Sequence, residues 1–150
     1  MSVIIEAKQS GIEKTWNTTK EWQYFVRKGV KIMENKRIIY VAGPYRADTE
    51  YGVKQNIERA EKVAVKYWQA GYLVYCPHKN CAFLGGACPD EVWLDAGIQF
   101  LKLCDGIVMM EGWQDSSGSV AEWNYATKKG MTIFYEDDND CLELVKDVLK

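Results

Sequence analysis

Gly106-Ile107-Val108-Met109-Met110 leads through Glu111-Gly112-Trp113-Gln114-Asp115 into Ser116-Ser117-Gly118-Ser119-Val120-Ala121-Glu122. A short apolar run, a Gly/Ser turn and a helix opening in that order make a βα unit. The apolar run has the length and composition of a strand buried on both faces. The turn exposes backbone N–H groups that have no partner inside the coming helix. With the helix dipole they form a seat for a phosphate or another anion. Glu122 emerges from the first turns of the same helix, so one segment offers an anion cradle and a carboxylate. That pairing suits an enzyme acting on a nucleoside or nucleotide. It also suits a plain capped helix with a solvated glutamate, and the segment alone does not separate the two.

Working outward, the same rhythm repeats. Arg37-Ile38-Ile39-Tyr40-Val41-Ala42 is an apolar, β-rich strand that stops at Gly43-Pro44. From Gly52 to Ala70, Ile57, Ala60, Val63, Ala64, Tyr67 and Trp68 recur at helical spacing, and Gly71 closes the helix. Tyr72 to Cys76 is a second buried strand, ended by Pro77. Residues 77–89 read as a long loop, and a helix follows from Asp90, the expected N-cap, to Leu103. Beyond the 106–110 strand, a helix from Gly118 to Lys129 is closed by Gly130. Met131 to Tyr135 is the fourth strand. An acidic turn over 136–140 caps a last helix carrying Leu142, Leu144, Val145, Val148 and Leu149. Four βα units predict an α/β fold: a flavodoxin-like, Rossmann-like parallel sheet of four to five strands with helices on both faces. Ligands of such sheets bind beyond the carboxyl ends of the strands. The suspicious residues cluster in the loops there, over 43–51, 77–89 and 111–119.

Residues 33–150 form this single domain. Residues 1–32 break the rhythm and are expected to be an N-terminal extension. Trp16, Trp22, Tyr24, Phe25 and Val26 lie among charges there, as in an amphipathic helix. Met33-Glu34-Asn35-Lys36 reads like a second natural start. The extension packs on the domain, joins an oligomer interface or is an artificial leader; its sequence leaves all three open.

Composition narrows the function. The 150 residues carry 47% hydrophobic and 27% charged residues and a net charge of −2. No basic stripe is present for a nucleic-acid polymer, although a single nucleotide remains a fitting ligand. No apolar run approaches the roughly 20 residues of a membrane span, and the N-terminus lacks the pattern of a signal peptide. The five cysteines are odd in number and point to reduced thiols in a cytoplasmic protein. Cys76, His78, Cys81 and Cys88 lie close together. Their spacing matches no standard zinc pattern, so no metal is expected. Cys104 reads as core.

Several residues carry candidate chemistry. Gly43 lets a ligand approach the backbone, Tyr45 offers a ring to stack on a base or sugar, and Arg46 offers a guanidinium to a phosphate. The same residues also make an ordinary turn. There is no Gly-x-Gly-x-x-Gly fingerprint and no phosphate-loop lysine. Asp95 is the lone charge in Val92-Trp93-Leu94-Asp95-Ala96-Gly97-Ile98, so partial burial and a raised pKa are expected. Interaction with the helix dipole is its other reading. His78 sits at a strand end, as a binding residue or plain polar surface. Trp93 and Trp113 are expected to wall the pocket or fill core.

The pieces Ile38-Ile39-Tyr40-Val41-Ala42-Gly43-Pro44-Tyr45, Pro77-His78, Asp95 ahead of Cys104-Asp105-Gly106-Ile107-Val108, and Ser116 through Glu122 occur in a telling order. In this the chain from 37 to 135 resembles the nucleoside 2-deoxyribosyltransferase superfamily, which includes the deoxyribonucleoside monophosphate N-glycosidases. The resemblance implies that Glu122 is the nucleophilic carboxylate and that Asp95 assists the leaving base or orients the sugar. It implies that Ser116, Gly118 and Ser119 contact a 5′-phosphate or 5′-hydroxyl, and that Gly43 and Tyr45 line the pocket. It implies no cofactor, and a homodimer or higher homo-oligomer in which neighbours complete the pocket. The 77–89 loop and the N-terminal extension depart from the pattern, so the substrate does not carry over. The expected activity is cleavage or transfer at the N-glycosidic bond of a nucleoside or its 5′-monophosphate. A carboxylate stabilises the oxocarbenium-like centre at C1′, as in retaining glycosidases. A silent nucleotide-binding module and an NAD-cleaving glycohydrolase are the alternatives.

Overall fold

The computed structural model describes residues 36–137, 141, 145, 148 and 149. The reading of 1–32 as a helical extension lies outside them, as do Leu142 and Leu144. The strands are β1 (Ile38–Ala42), β2 (Leu73–Tyr75), β3 (Gly106–Met109) and β4 (Thr132–Tyr135). The helices are α1 (Glu50–Gln69), the one-turn α2 (Pro77–Asn80), α3 (Asp90–Leu101) and α4 (Ser117–Lys129). The sheet is four-stranded in the order β2-β1-β3-β4, and every pairing is parallel. This is the expected flavodoxin-like α/β fold. After β1 the chain moves outward to β2, then crosses back to β3 on the other side. The β1–β3 boundary is therefore the switch point where a crevice opens.

Alternation along the strands assigns the two faces. Ile39, Val41, Val108 and Phe134 meet Ala60, Val63, Ala64 and Tyr67 of α1, with Cys141 and Val145 in the same core. Tyr40, Ala42, Ile107 and Met109 face the other way, among Leu101 of α3 and Ala126 of α4. The central strand β3 is buried throughout and β1 at every residue but Ile38, while the edge strand β2 is only half-buried. Each fully buried aliphatic side chain contributes about 1.5–3 kcal/mol.

The helix ends follow local chemistry. Thr49 caps α1 by accepting the Gly52 N–H at 3.0 Å, so the helix starts before the expected Gly52. Gly71 follows with φ +88, the left-handed C′ glycine that the sequence indicates. Gly130 closes α4 in the same region, at φ +64. Two expectations need correction. Asp90 is the first residue of α3 and not its N-cap; Pro89 holds that place and contributes no side-chain cap. The 77–89 connection is not all loop, since Pro77 starts the single turn α2. No helix among the described residues is long and apolar enough to cross a membrane.

Candidate functional site

The segment after β3 builds the centre of the site. Ser116 caps α4, its Oγ accepting the Ser119 N–H at 3.3 Å. Its hydroxyl proton is still available to a ligand. Ser119 is buried and lines the cleft, with no hydrogen-bond partner for its Oγ. Gly118 lets the helix start approach α3: a Cβ there would lie 3.2 Å from Leu94 Cδ2. Glu122 follows on the cleft side of α4. Strand alternation directs Tyr40 to the same face, and its hydroxyl donates to Glu122 Oε1 at 2.5 Å.

Burial pushes Glu122 from 4.5 up to about 7, against the opposing pull of the Tyr40 hydrogen bond. Burial also holds the Tyr40 phenol far above its usual range, so it remains a donor. The crowded spot stays open because residue 97 is glycine. A Cβ at Gly97 would lie 3.1 Å from Glu122 Oε1 and 3.0 Å from Tyr40 Oη. Sequence reasoning missed both neighbours of Glu122. The available signals were a hydroxyl in the otherwise apolar β1 and a glycine in the middle of α3.

The cleft encloses about 820 Å³. Gly43, Tyr45, Arg46, His78, Ser116, Gly118, Ser119 and Glu122 all line it, as sequence reasoning expected. Several of them also have partners within the chain. Gly43 is glycine because a Cβ would fall 2.5 Å from Met110 Sδ, across the β1–β3 boundary. Tyr45 spends its hydroxyl on the chain, donating to Cys81 O at 3.2 Å and accepting Phe83 N–H at 3.1 Å. Arg46 pairs with Asp90 at 2.6 Å and ties the β1 loop to the start of α3. His78 is buried, not polar surface. Its Nε2 contacts Pro44 O at 3.0 Å, and burial pulls its pKa below 6.5. Facing a carbonyl, Nε2 is the donor, and burial disfavours the charged ring. Its Nδ1 has no partner.

Asp95 is not brought to this cleft. Helical spacing sets Asp90, Trp93, Leu94 and Ile98 along the cleft and leaves Asp95 outside its lining and exposed, where Oδ1 accepts a hydrogen bond from Gln99 at 3.2 Å. The expected partial burial does not hold. Trp93 does wall the cleft, whereas Trp113 stacks on Trp123 with ring centres 5.4 Å apart. Cys104 packs at the edge of the core, as expected. Among the described residues, no group of three or more His, Cys, Asp or Glu side chains is placed to hold a metal ion.

The arrangement offers a carboxylate with raised proton affinity, oriented by a phenol, beside a helix start that holds a free buried hydroxyl. Chemically it can attack or stabilise an electron-poor carbon and bind an oxygen-rich group nearby. No curated protein matches the chain. Residues 37–135 match the model of a family described as a domain of unknown function, DUF4406, and the chain belongs to that family.

Proposed function

We propose that this chain cleaves or transfers the N-glycosidic bond of a nucleoside or its 5′-monophosphate, with Glu122 as the nucleophile. The observation that carries the reading is the Tyr40–Glu122 pair at the switch point, whose carboxylate lines the cleft while the phenol holds it from the core. Tyr40 fixes Oε1, which leaves Oε2 as the oxygen to meet C1′. As the bond to the base breaks, positive charge grows at C1′ and the carboxylate stabilises or captures it. A covalent glycosyl-enzyme would then be resolved by water in a hydrolase or by a second base in a transferase. Ser119 and the free N–H groups at the α4 start suit the 5′ end of the sugar. The resemblance to the nucleoside 2-deoxyribosyltransferases supports the same assignment for Glu122, Ser116, Gly118 and Ser119. It gives Asp95 a part in base departure that the cleft of a single chain does not supply. The reading includes no metal or organic cofactor, and a homo-oligomer acting in the cytoplasm.

The test is an incubation with the common nucleosides, their 5′-monophosphates and NAD, scored by chromatography for free base or nicotinamide. Base released by the wild type and not by Glu122→Gln supports the proposal. Ligand bound without turnover would instead make the cleft a sensing module. Nicotinamide released from NAD alone would make it a glycohydrolase of that cofactor.

A further inference from the structure

The lining of the cleft is of two kinds: polar groups at the start of α4, and the apolar side chains of Phe83, Leu84, Trp93 and Leu94. Phe83 stands out there. It is 71% exposed, so its ring has little part in the chain's own packing. Its backbone has φ 61, the only positive value at a non-glycine position among the described residues. A bulky side chain in that region is strained, and glycine would adopt it freely. Strain of this kind persists only where the surroundings enforce it. Tyr45 enforces it, since its hydroxyl holds both Cys81 O and Phe83 N–H. Beyond Phe83, the Gly85-Gly86 pair lies open, with nothing within 4 Å of an added Cβ at either position.

We infer that Phe83 is the residue that stacks on the heteroaromatic base of the substrate, and that Tyr45 is the positioning residue that presents it. This rests on the N-glycosidic reading above. With C1′ at Glu122 and the 5′ end at the α4 start, the base is left to the apolar lining, where Phe83 offers an exposed ring. An exposed ring gains from covering a flat base, because stacking removes apolar surface from both and tolerates different bases. The sequence-based role of Tyr45 as the stacking ring passes to Phe83, because the Tyr45 hydroxyl is tethered to the 81–83 backbone.

The test uses the full chain and the substrate that the wild type cleaves fastest in the panel. Phe83→Ala should raise KM about tenfold. Phe83→Trp should restore KM to within about threefold of wild type. Phe83→Gly relieves the backbone strain without supplying a ring, so it should behave like Phe83→Ala. Tyr45→Phe keeps a ring at 45 and removes both hydrogen bonds. It should raise KM and speed limited proteolysis between residues 81 and 86. Unchanged KM in Phe83→Ala, with the wild type cleaving normally, overturns this inference and leaves the N-glycosidic reading intact. If the wild type releases no base, Kd values from calorimetry on Glu122→Gln replace KM. Failure of that protein to bind any member of the panel overturns both.

Discussion

Replacing Glu122 by Gln should abolish turnover and at the same time stabilise the protein above neutral pH. The side chain keeps its shape, and Tyr40 can still donate to an amide oxygen. What disappears is a carboxylate whose proton affinity is raised from 4.5 to about 7 by burial. A carboxyl with a raised folded pKa binds its proton more tightly in the native state than in the unfolded chain. Its contribution is therefore favourable below about 4.5 and is lost as pH climbs through about 7. At 1.36 kcal/mol per pKa unit, the full loss is about 3 kcal/mol, an upper bound given the solvent that reaches the cleft. The neutral amide of the variant carries no such penalty. The variant and the wild type should melt nearly together near pH 4.5, where the wild-type carboxyl is protonated in the folded state and half so in the unfolded chain. At pH 8.5 the variant should melt several degrees higher, since about 1 kcal/mol moves Tm by roughly 2–4 °C at this size. Calorimetric melts across pH 4.5–8.5, run beside the base-release assay, measure both effects. A folded Glu122→Gln protein with normal turnover would refute the mechanism. A Tm difference independent of pH would refute the buried, high-affinity carboxyl.

Three further outcomes follow from the same geometry. Tyr40→Phe removes the hydrogen bond that lowers the Glu122 pKa. The acid limb of kcat/KM, expected near pH 7 in the wild type, should move to higher pH, as a pH–rate profile will show. Gly97→Ala improves helix propensity by up to about 1 kcal/mol. It also sets a methyl 3.1 Å from Glu122 Oε1, so kcat should fall at least about tenfold while the melting temperature changes little. Ser116→Ala removes the α4 cap, at a cost of about 1 kcal/mol in a denaturant titration. It should weaken a nucleoside monophosphate more than the matching nucleoside; equal losses in kcat/KM would remove the phosphate from the start of α4.

The fold was legible because each element announces itself locally. The apolar runs of β1 and β3, the helical spacing from Ile57 to Tyr67 and the glycines at 71 and 130 need no long-range contact to be recognised. The misplaced boundaries are those where a neighbour outside the periodic pattern decides. Thr49 extends α1 backward by capping it, and Pro77 starts a helical turn inside an expected loop. His78 looks like polar surface in sequence. It is buried because α2 carries it beneath the β1 loop, where Pro44 O accepts a hydrogen bond from Nε2.

The site was legible only as far as the fold rule reaches. Binding beyond the carboxyl ends of parallel strands places the loops at 43–46, 78 and 116–119 around one cleft, and all of them line it. What each side chain does there depends on partners far away in sequence. Tyr40 and Glu122 are 82 residues apart, Tyr45 and Phe83 are 38 apart, and neither pairing has a local signature. Asp95 shows the reverse error. An isolated charge in an apolar run looks buried when the run is read as a line. Wound into α3, the same run has a cleft-lining stripe through Trp93, Leu94 and Ile98, and Asp95 falls outside it. Gly97 lies against the Tyr40–Glu122 pair, and its missing side chain is what lets the carboxylate and the phenol meet. The residue that makes room for the chemistry has no functional group, so a search for reactive side chains passes over it; a glycine in mid-helix, which weakens the helix, is the mark to follow.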